Sequence, residues 1–133
     1  MIDYRLSPPL TNAALNDLFR AAWADHRERD FAAQLGHSLL YVGAFKGERL
    51  IGFVNLAWDG GVHAFLLDTT THPDYQRQGI GAELVRVAVE AARPHGIEWV
   101  HVDYEPHLAA FYRRCGFQHT EAGLLNLREI SGE

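Results

Sequence analysis

The chain has 133 residues, 47% of them apolar, which fits one domain with a real core. Twelve basic against seventeen acidic side chains leave a net charge of −5, which argues against nucleic acid as the main partner because phosphate contacts need a basic face. The lone Cys115 excludes an internal disulfide and a cysteine-based zinc cluster, and no apolar run approaches the ~20 residues of a membrane span.

Met1-Ile2-Asp3-Tyr4-Arg5 has no basic-then-apolar signal pattern, so a cytoplasmic protein is expected. Ile2 to Leu6 alternates apolar and polar and predicts a first strand, ended by Ser7-Pro8-Pro9. Thr11 can cap a helix whose Leu15, Leu18, Phe19 and Ala22 share one face. A polar piece, Trp23 to Arg29, leads to a short helix from an Asp30 cap through Phe31 and Leu35 to a stop at Gly36. Leu39 to Phe45 and Arg49 to Trp58 predict two strands joined by the turn Lys46-Gly47-Glu48. After Asp59-Gly60-Gly61, Val62 to Thr71 is the third strand of a meander. Ile80, Leu84, Val87, Ala88 and Ala91 fall at helical spacing, and Pro94-His95-Gly96 stops that helix. Ile97 to Tyr104 reads as a strand pairing with Val62–Thr71 in a β-α-β unit. Pro106 can open a last helix, through Leu108, Phe111 and Tyr112 to Gly116. Phe117 to Thr120 and Leu124 to Ile130 predict a closing hairpin. No repeat or linker splits the chain, so residues 1–133 are expected to form a single domain.

The stretch Gln76-Arg77-Gln78-Gly79-Ile80-Gly81-Ala82 joins a strand and short turn to a helix start. Free N–H groups and the dipole at a helix N-terminus favour an anion, and glycines let a phosphate approach the main chain. The spacing is not the dinucleotide G-x-G-x-x-G, since Leu84 holds the third position, and the Gly-Lys-Ser/Thr of a Walker A loop is absent. A helix entry with glycines and no ligand is the alternative.

Asp68-x-x-Thr71-x-Pro73-x-Tyr75-Gln76-x-x-Gly79-Ile80-Gly81, followed one β-α step later by Phe111-Tyr112-x-x-Cys115-Gly116-Phe117, resembles the GNAT superfamily of N-acyltransferases. The resemblance runs over essentially the whole chain. It implies an α/β fold of order β-α-α-β-β-β-α-β-α-β-β, with a central mixed, mostly antiparallel sheet flanked by helices. It implies acetyl-CoA as co-substrate, its pyrophosphate on Gln76, Arg77, Gln78, Gly79, Ile80, Gly81 and Ala82. The pantetheine arm would pair with the main chain of Thr69, Thr70 and Thr71, on a strand that splays from its neighbour, often at a bulge. Two positions depart from the family pattern. Thr71 stands where an aliphatic residue is usual, and Glu105 where many members place a CoA-contacting asparagine.

The implied reaction is acyl transfer to an amine of a small molecule or peptide, which needs a base for the ammonium and a proton for the leaving thiolate. By resemblance, Tyr112 is the general acid and another contact of the cofactor; otherwise it is a core aromatic. Asp68 is the first candidate base, with His63 and Glu105 behind it; their plainer roles are a turn carboxylate, a half-buried histidine and a helix-start acid. Thr69 to Thr71 can equally be plain strand formers. His101-Val102-Asp103 and His107 invite a metal reading, but no paired ligand spacing supports one, so no metal is expected. Cys115 reads as a packing residue at a helix end. Trp23, His26, Arg27 and Arg29 mark the acceptor side by resemblance; the two arginines hint at a carboxylate or phosphate on the acceptor, against a solvated loop. A homodimer through the closing strands also follows from the resemblance alone. Two other classes stay open: a non-catalytic acyl-CoA-binding module, and an interaction domain without cofactor.

Overall fold

Residues 3–101 carry one five-stranded sheet because five short segments rich in β-branched and aromatic residues alternate with turn and helix signals. A computed structural model describes residues 1–129 of the chain. Contacts group the chain into one unit of residues 1–102 and a second that begins at Asp103. In the first unit the order is β1 (Asp3–Leu6), α1 (Asn12–Ala22), α2 (Ala32–Gly36), β2 (Ser38–Lys46), β3 (Arg49–Trp58), β4 (His63–Thr71), α3 (Ile80–Ala92) and β5 (Trp99–His101). Strands lie in sequence order, β1 to β4 antiparallel and β5 parallel to β4. The fold is the mixed, mostly antiparallel α/β arrangement anticipated from the GNAT pattern.

The two faces of β3 take different helices. Phe53 meets Phe19 of α1 edge-on at 5.8 Å, in a buried cluster with Leu15, Leu18 and Phe31. Its neighbour Gly52 looks the other way, where a Cβ would stand 3.0 Å from Leu84 and 3.3 Å from Ile80 of α3. Glycine at that position therefore lets α3 settle close to the sheet, with Ile80, Leu84, Val85 and Ala88 buried beneath it. Thr11 caps α1 as expected, its hydroxyl accepting from the Ala14 N–H at 3.1 Å. Asp30 accepts from Ala32 N–H at 2.9 Å and so serves the start of α2.

Two features of β4 depend on its neighbours. Phe53 pairs with Thr70 but Asn55 with Leu67, so β4 holds one residue more than β3 over that interval. This is a β-bulge at Asp68–Thr69, and Asp68 takes a left-handed φ of 60°. On the other edge, the ladder with β5 has three pairs, His63 with Trp99, Ala64 with Val100 and Phe65 with His101. From Leu66 to Thr71 no ladder partner faces that edge of β4 among the described residues. β5 is accordingly shorter than the predicted Ile97–Tyr104; at its start the N–H groups of Glu98 and Trp99 both reach Val62 O, at 2.8 and 3.0 Å.

In the second unit Pro106–Leu108 form one 3₁₀ turn, with Pro106 in the first turn where its missing N–H does no harm. The α-helix proper, α4 (Ala109–Arg114), follows, and Gly116 leaves it at φ 99°. The predicted closing hairpin is not formed in residues 117–129, which contain no strand; Ile130 lies outside the described residues. The apolar residues of that stretch are not covered: Leu124, Leu125 and Leu127 are 82%, 70% and 73% exposed. A two-stranded hairpin with no buried face is marginal in water, and apolar residues in a row do not by themselves supply one.

Candidate active site

The sequence from Asp68 to Ala82 runs from the bulge, along an open strand edge, into the N-terminus of α3. Asp68 anchors the bulge: its carboxylate accepts from Gln34 Nε2 of α2 at 3.0 Å, and its main-chain oxygen accepts from the Thr70 hydroxyl at 2.9 Å. A non-glycine residue held at positive φ costs of order 1–3 kcal/mol and persists only where its surroundings impose it. Thr70 is buried, and Thr69 and Thr71 are half-buried. The backbone of these threonines, with no β5 partner, is what an extended ligand can pair with.

His72 begins the turn, its Nδ1 accepting from the Asp74 N–H at 3.1 Å, and Pro73–Tyr75 form a single 3₁₀ turn. Gln76 then reaches back to Thr71 O at 3.4 Å. Arg77 and Gly79 are both left-handed, at φ 65° and 79°, with Gln78 between them. Gln76 to Gly79 are exposed, and an added Cβ at Gly79 would meet nothing within 4 Å. Gly79 is the N-cap of α3 and offers no side chain to its first turn. The leading N–H groups of a helix have no intrahelical acceptor, so this terminus presents donors and a positive dipole end to open space. Glu83 in the first turn is held by Arg86 through two contacts of 2.8 and 2.6 Å. The Arg86 hydrogen bond also keeps the Glu83 carboxyl below its ordinary range.

The two predicted residues beyond Val102 belong to the second unit. Tyr112 is buried, with Tyr104 stacked on it at 5.0 Å and Phe117 edge-on at 5.8 Å; its carbonyl accepts from the Phe117 N–H at 3.0 Å. Glu105 is exposed, and its carbonyl accepts from the Leu108 N–H at 2.9 Å. Burial pushes the Cys115 thiol up, partly offset by Arg114, which is the environment of a packing cysteine rather than a nucleophile.

The α1–α2 connection holds an open cleft of about 270 Å³ lined by Trp23, Asp25, His26, Arg27, Glu28 and Arg29. Sequence reasoning missed the residue that shapes it. Buried Asn16 donates to Asn12 O and Arg29 O, both at 2.9 Å, accepts from the Arg29 N–H at 3.1 Å, and sits 2.8 Å from His26 Nε2. The signal available was a polar residue on the apolar side of a helix, next to Leu15. Arg29 lies 4.8 Å over the Phe31 ring, whereas Arg27 has no partner among the described residues.

Also missed was a contact between two strands. His63 Nδ1 and His101 Nε2 are 2.8 Å apart, and the His101 ring stacks on Phe65 at 4.8 Å. Both histidines were visible in the sequence, but nothing local told that the parallel register would join them. Among the described residues, no group of three or more His, Cys, Asp or Glu is placed to hold a metal ion, and no helix is long and apolar enough to cross a membrane.

Comparison with known proteins agrees with this geometry. The family model "Acetyltransferase (GNAT) family" matches residues 10–117. The chain is 32% identical over 99 residues to an uncharacterized ycf52-like N-acetyltransferase of Prochlorococcus marinus, covering 71% of this chain and 55% of that protein. It is 27% identical over 99 residues to the uncharacterized N-acetyltransferase ycf52 of Porphyra purpurea, covering 71% and 57%. It thus spans little more than half the length of these relatives. Among solved structures, a GNAT family acetyltransferase from Streptococcus pneumoniae superposes with a TM-score of 0.76 at 25% identity, covering 96% of this chain and 99% of that one. The aminoglycoside N-acetyltransferase AAC(6')-Iy, solved in complex with CoA, shares the fold at a TM-score of 0.74 and 16% identity, covering 95% and 93%.

Proposed function

The chain belongs to the acetyltransferase (GNAT) family, and on that premise we propose that it transfers the acetyl group of acetyl-CoA to a primary amine of a small molecule or peptide by direct attack. One observation carries the reading: a bulged strand with an open edge leads, through the loop of residues 72–79, to a helix N-terminus that the protein leaves uncapped. That order suits a ligand with an amide-bearing arm ending in phosphates. The CoA complex of AAC(6')-Iy supports acyl-CoA as that ligand.

In this reading the main chain of Thr69, Thr70 and Thr71 pairs with the pantetheine amides as an added strand would. The N–H groups at Gln76 to Ala82, with the α3 dipole, take the pyrophosphate; Gly79 and Gly81 keep that main chain approachable. Tyr112 supplies the proton to the departing thiolate, a task suited to a phenol, which is protonated at neutral pH as a class. Glu105 adds a polar contact to the cofactor. Asp68 is the carboxylate at the bulge and the first candidate to take the amine's proton, although Gln34 already occupies it. The α1–α2 cleft faces the acceptor, where Arg27 can meet an anionic group.

The test combines two measurements on the purified protein. Calorimetry should show acetyl-CoA binding, and free CoA should be released when a panel of primary amines is added. Binding without amine-dependent release would make the protein an acyl-CoA-binding module instead. No binding would leave neither reading.

A further inference from the structure

We propose that His101 is the general base for the acceptor amine and that His63 positions it; this rests on the acetyltransferase reading above. The Phe65–His101 pair is the last of the β4–β5 ladder, so His101 lies where the edge of β4 opens. From Phe65 to the bulge at Asp68 is three residues, roughly 10 Å at ~3.3 Å per residue, a span that an amine and one bridging water can cover.

The face is also right. Leu67 and Phe65 pair with Asn55 and Ala57, so with His63 they share the side of the sheet on which Phe53 meets α1. That side is closed over β3 but not at its β4–β5 end: Phe65 and Leu67 are each 37% exposed, and Trp99, opposite His63, is 61% exposed. An apolar strip therefore leads from the His101 ring to the bulge. Apolar surroundings favour the neutral amine that must do the attacking.

With His101 Nε2–H donating to His63 Nδ1, the His101 Nδ1 is the basic nitrogen, and it has no partner among the described residues. His63 accepts the same bond whether His101 is neutral or protonated. Proton uptake at Nδ1 thus needs no rearrangement, as with any imidazole whose second nitrogen is already held. Asp59, in the turn before β4, is the acidic group facing His63; it accepts from the N–H groups of Gly61 at 2.7 Å and His63 at 3.4 Å. Asp68, the other candidate, has its carboxylate engaged by Gln34 and belongs to a side-chain class less suited to proton uptake at neutral pH.

The ammonium gives one proton to His101 Nδ1. The nitrogen lone pair attacks the thioester carbonyl carbon, forming the C–N bond. Collapse breaks the C–S bond, the nitrogen loses its second proton to solvent, and the thiolate takes one proton from Tyr112.

Two probes of different basicity test this. n-Propylamine is protonated at pH 7 and needs the base, whereas hydroxylamine, a far weaker base, is already neutral. His101→Gln should keep acetyl-CoA affinity, slow acetylation of n-propylamine by ~10²-fold, and slow that of hydroxylamine by less than about tenfold. The acid limb of the propylamine pH–rate profile should move to higher pH, because it then follows deprotonation of the free amine in place of uptake by the base. His63→Gln should lower the propylamine rate by about tenfold and move that limb, which a purely structural role would not do. In His101→Ala, added imidazole should restore part of the propylamine rate. Transfer that is unchanged in rate and pH profile in His101→Gln overturns this inference and spares the family reading. A wild-type protein that binds acetyl-CoA but acetylates neither amine overturns both.

Discussion

Two helices of the first unit begin in opposite ways. At α1 the protein completes its own N-terminus, with the Thr11 hydroxyl taking the Ala14 N–H. At α3 the N-cap is Gly79, which has no side chain to offer and holds a φ of 79° that other residues adopt at a cost. Both helices bury an amphipathic face, so the difference is not about packing. A capped terminus is a solved local problem, and an uncapped one beside an open strand edge is where the proposed reading puts the ligand.

The largest effect is expected at Gly81. Gly81→Asp puts a carboxylate in the first turn of α3, where the dipole and free N–H groups stabilise a negative charge, so folding should not suffer. The same carboxylate occupies the donors and repels a pyrophosphate. Acetyl-CoA affinity should fall by more than ~10²-fold by calorimetry, with an unchanged or raised Tm. A folded variant with wild-type affinity would remove the phosphate site from α3.

Next comes Tyr112, which separates binding from chemistry. Tyr112→Phe keeps the ring stacked against Tyr104 and removes only the hydroxyl. Acetyl-CoA affinity should survive while kcat falls by ~10²-fold, the usual scale of general acid catalysis. A fully active variant would leave the thiolate to depart unassisted.

These variants rest on features that were readable before any coordinates. Both helix starts were legible because capping is local chemistry: Thr11 precedes an apolar periodicity, and Gly79 and Gly81 stand where a strand-turn-helix pattern changes period. β3 was read with its ends in place, since turn residues bound it on both sides. What stayed hidden depends on register. The bulge at Asp68–Thr69 exists only relative to β3, and the His63–His101 contact only relative to β5. Asp68 looked like a free carboxylate because Gln34 is 34 residues away in the chain. The closing hairpin failed for a related reason: the apolar residues Leu124, Leu125 and Leu127 invite a strand reading without showing a face to bury it on.

Gly79→Ala is a milder break of the same contrast. Space is available for the methyl group, so the cost is conformational: roughly 1–2 kcal/mol for an L-residue in the left-handed region. The Tm should fall by several degrees. If the loop relaxes to relieve the strain, the N–H groups turn away, and acetyl-CoA affinity should drop by about tenfold or less. A loss of stability without any loss of affinity would mean that the α3 donors bind without help from the loop's shape.

The smallest effect, and the control for all the others, is Thr11→Ala at α1. It removes a side-chain acceptor from a helix start that has no part in the proposed ligand site, leaving the Ala14 N–H to water. Loss of such a cap costs ~1 kcal/mol, which should appear as a small decrease in the urea midpoint at constant m-value. Acetyl-CoA affinity should not change, because α1 contributes to the core through Leu15, Leu18 and Phe19 rather than through its N-terminus. The variant therefore measures how much affinity a destabilisation of that size removes by itself. If Thr11→Ala weakened acetyl-CoA binding as much as Gly79→Ala does, the Gly79 result would report general loosening of the fold, and the contrast between the two termini would collapse. If affinity holds while stability falls, the deficit in the α3 variants belongs to the site.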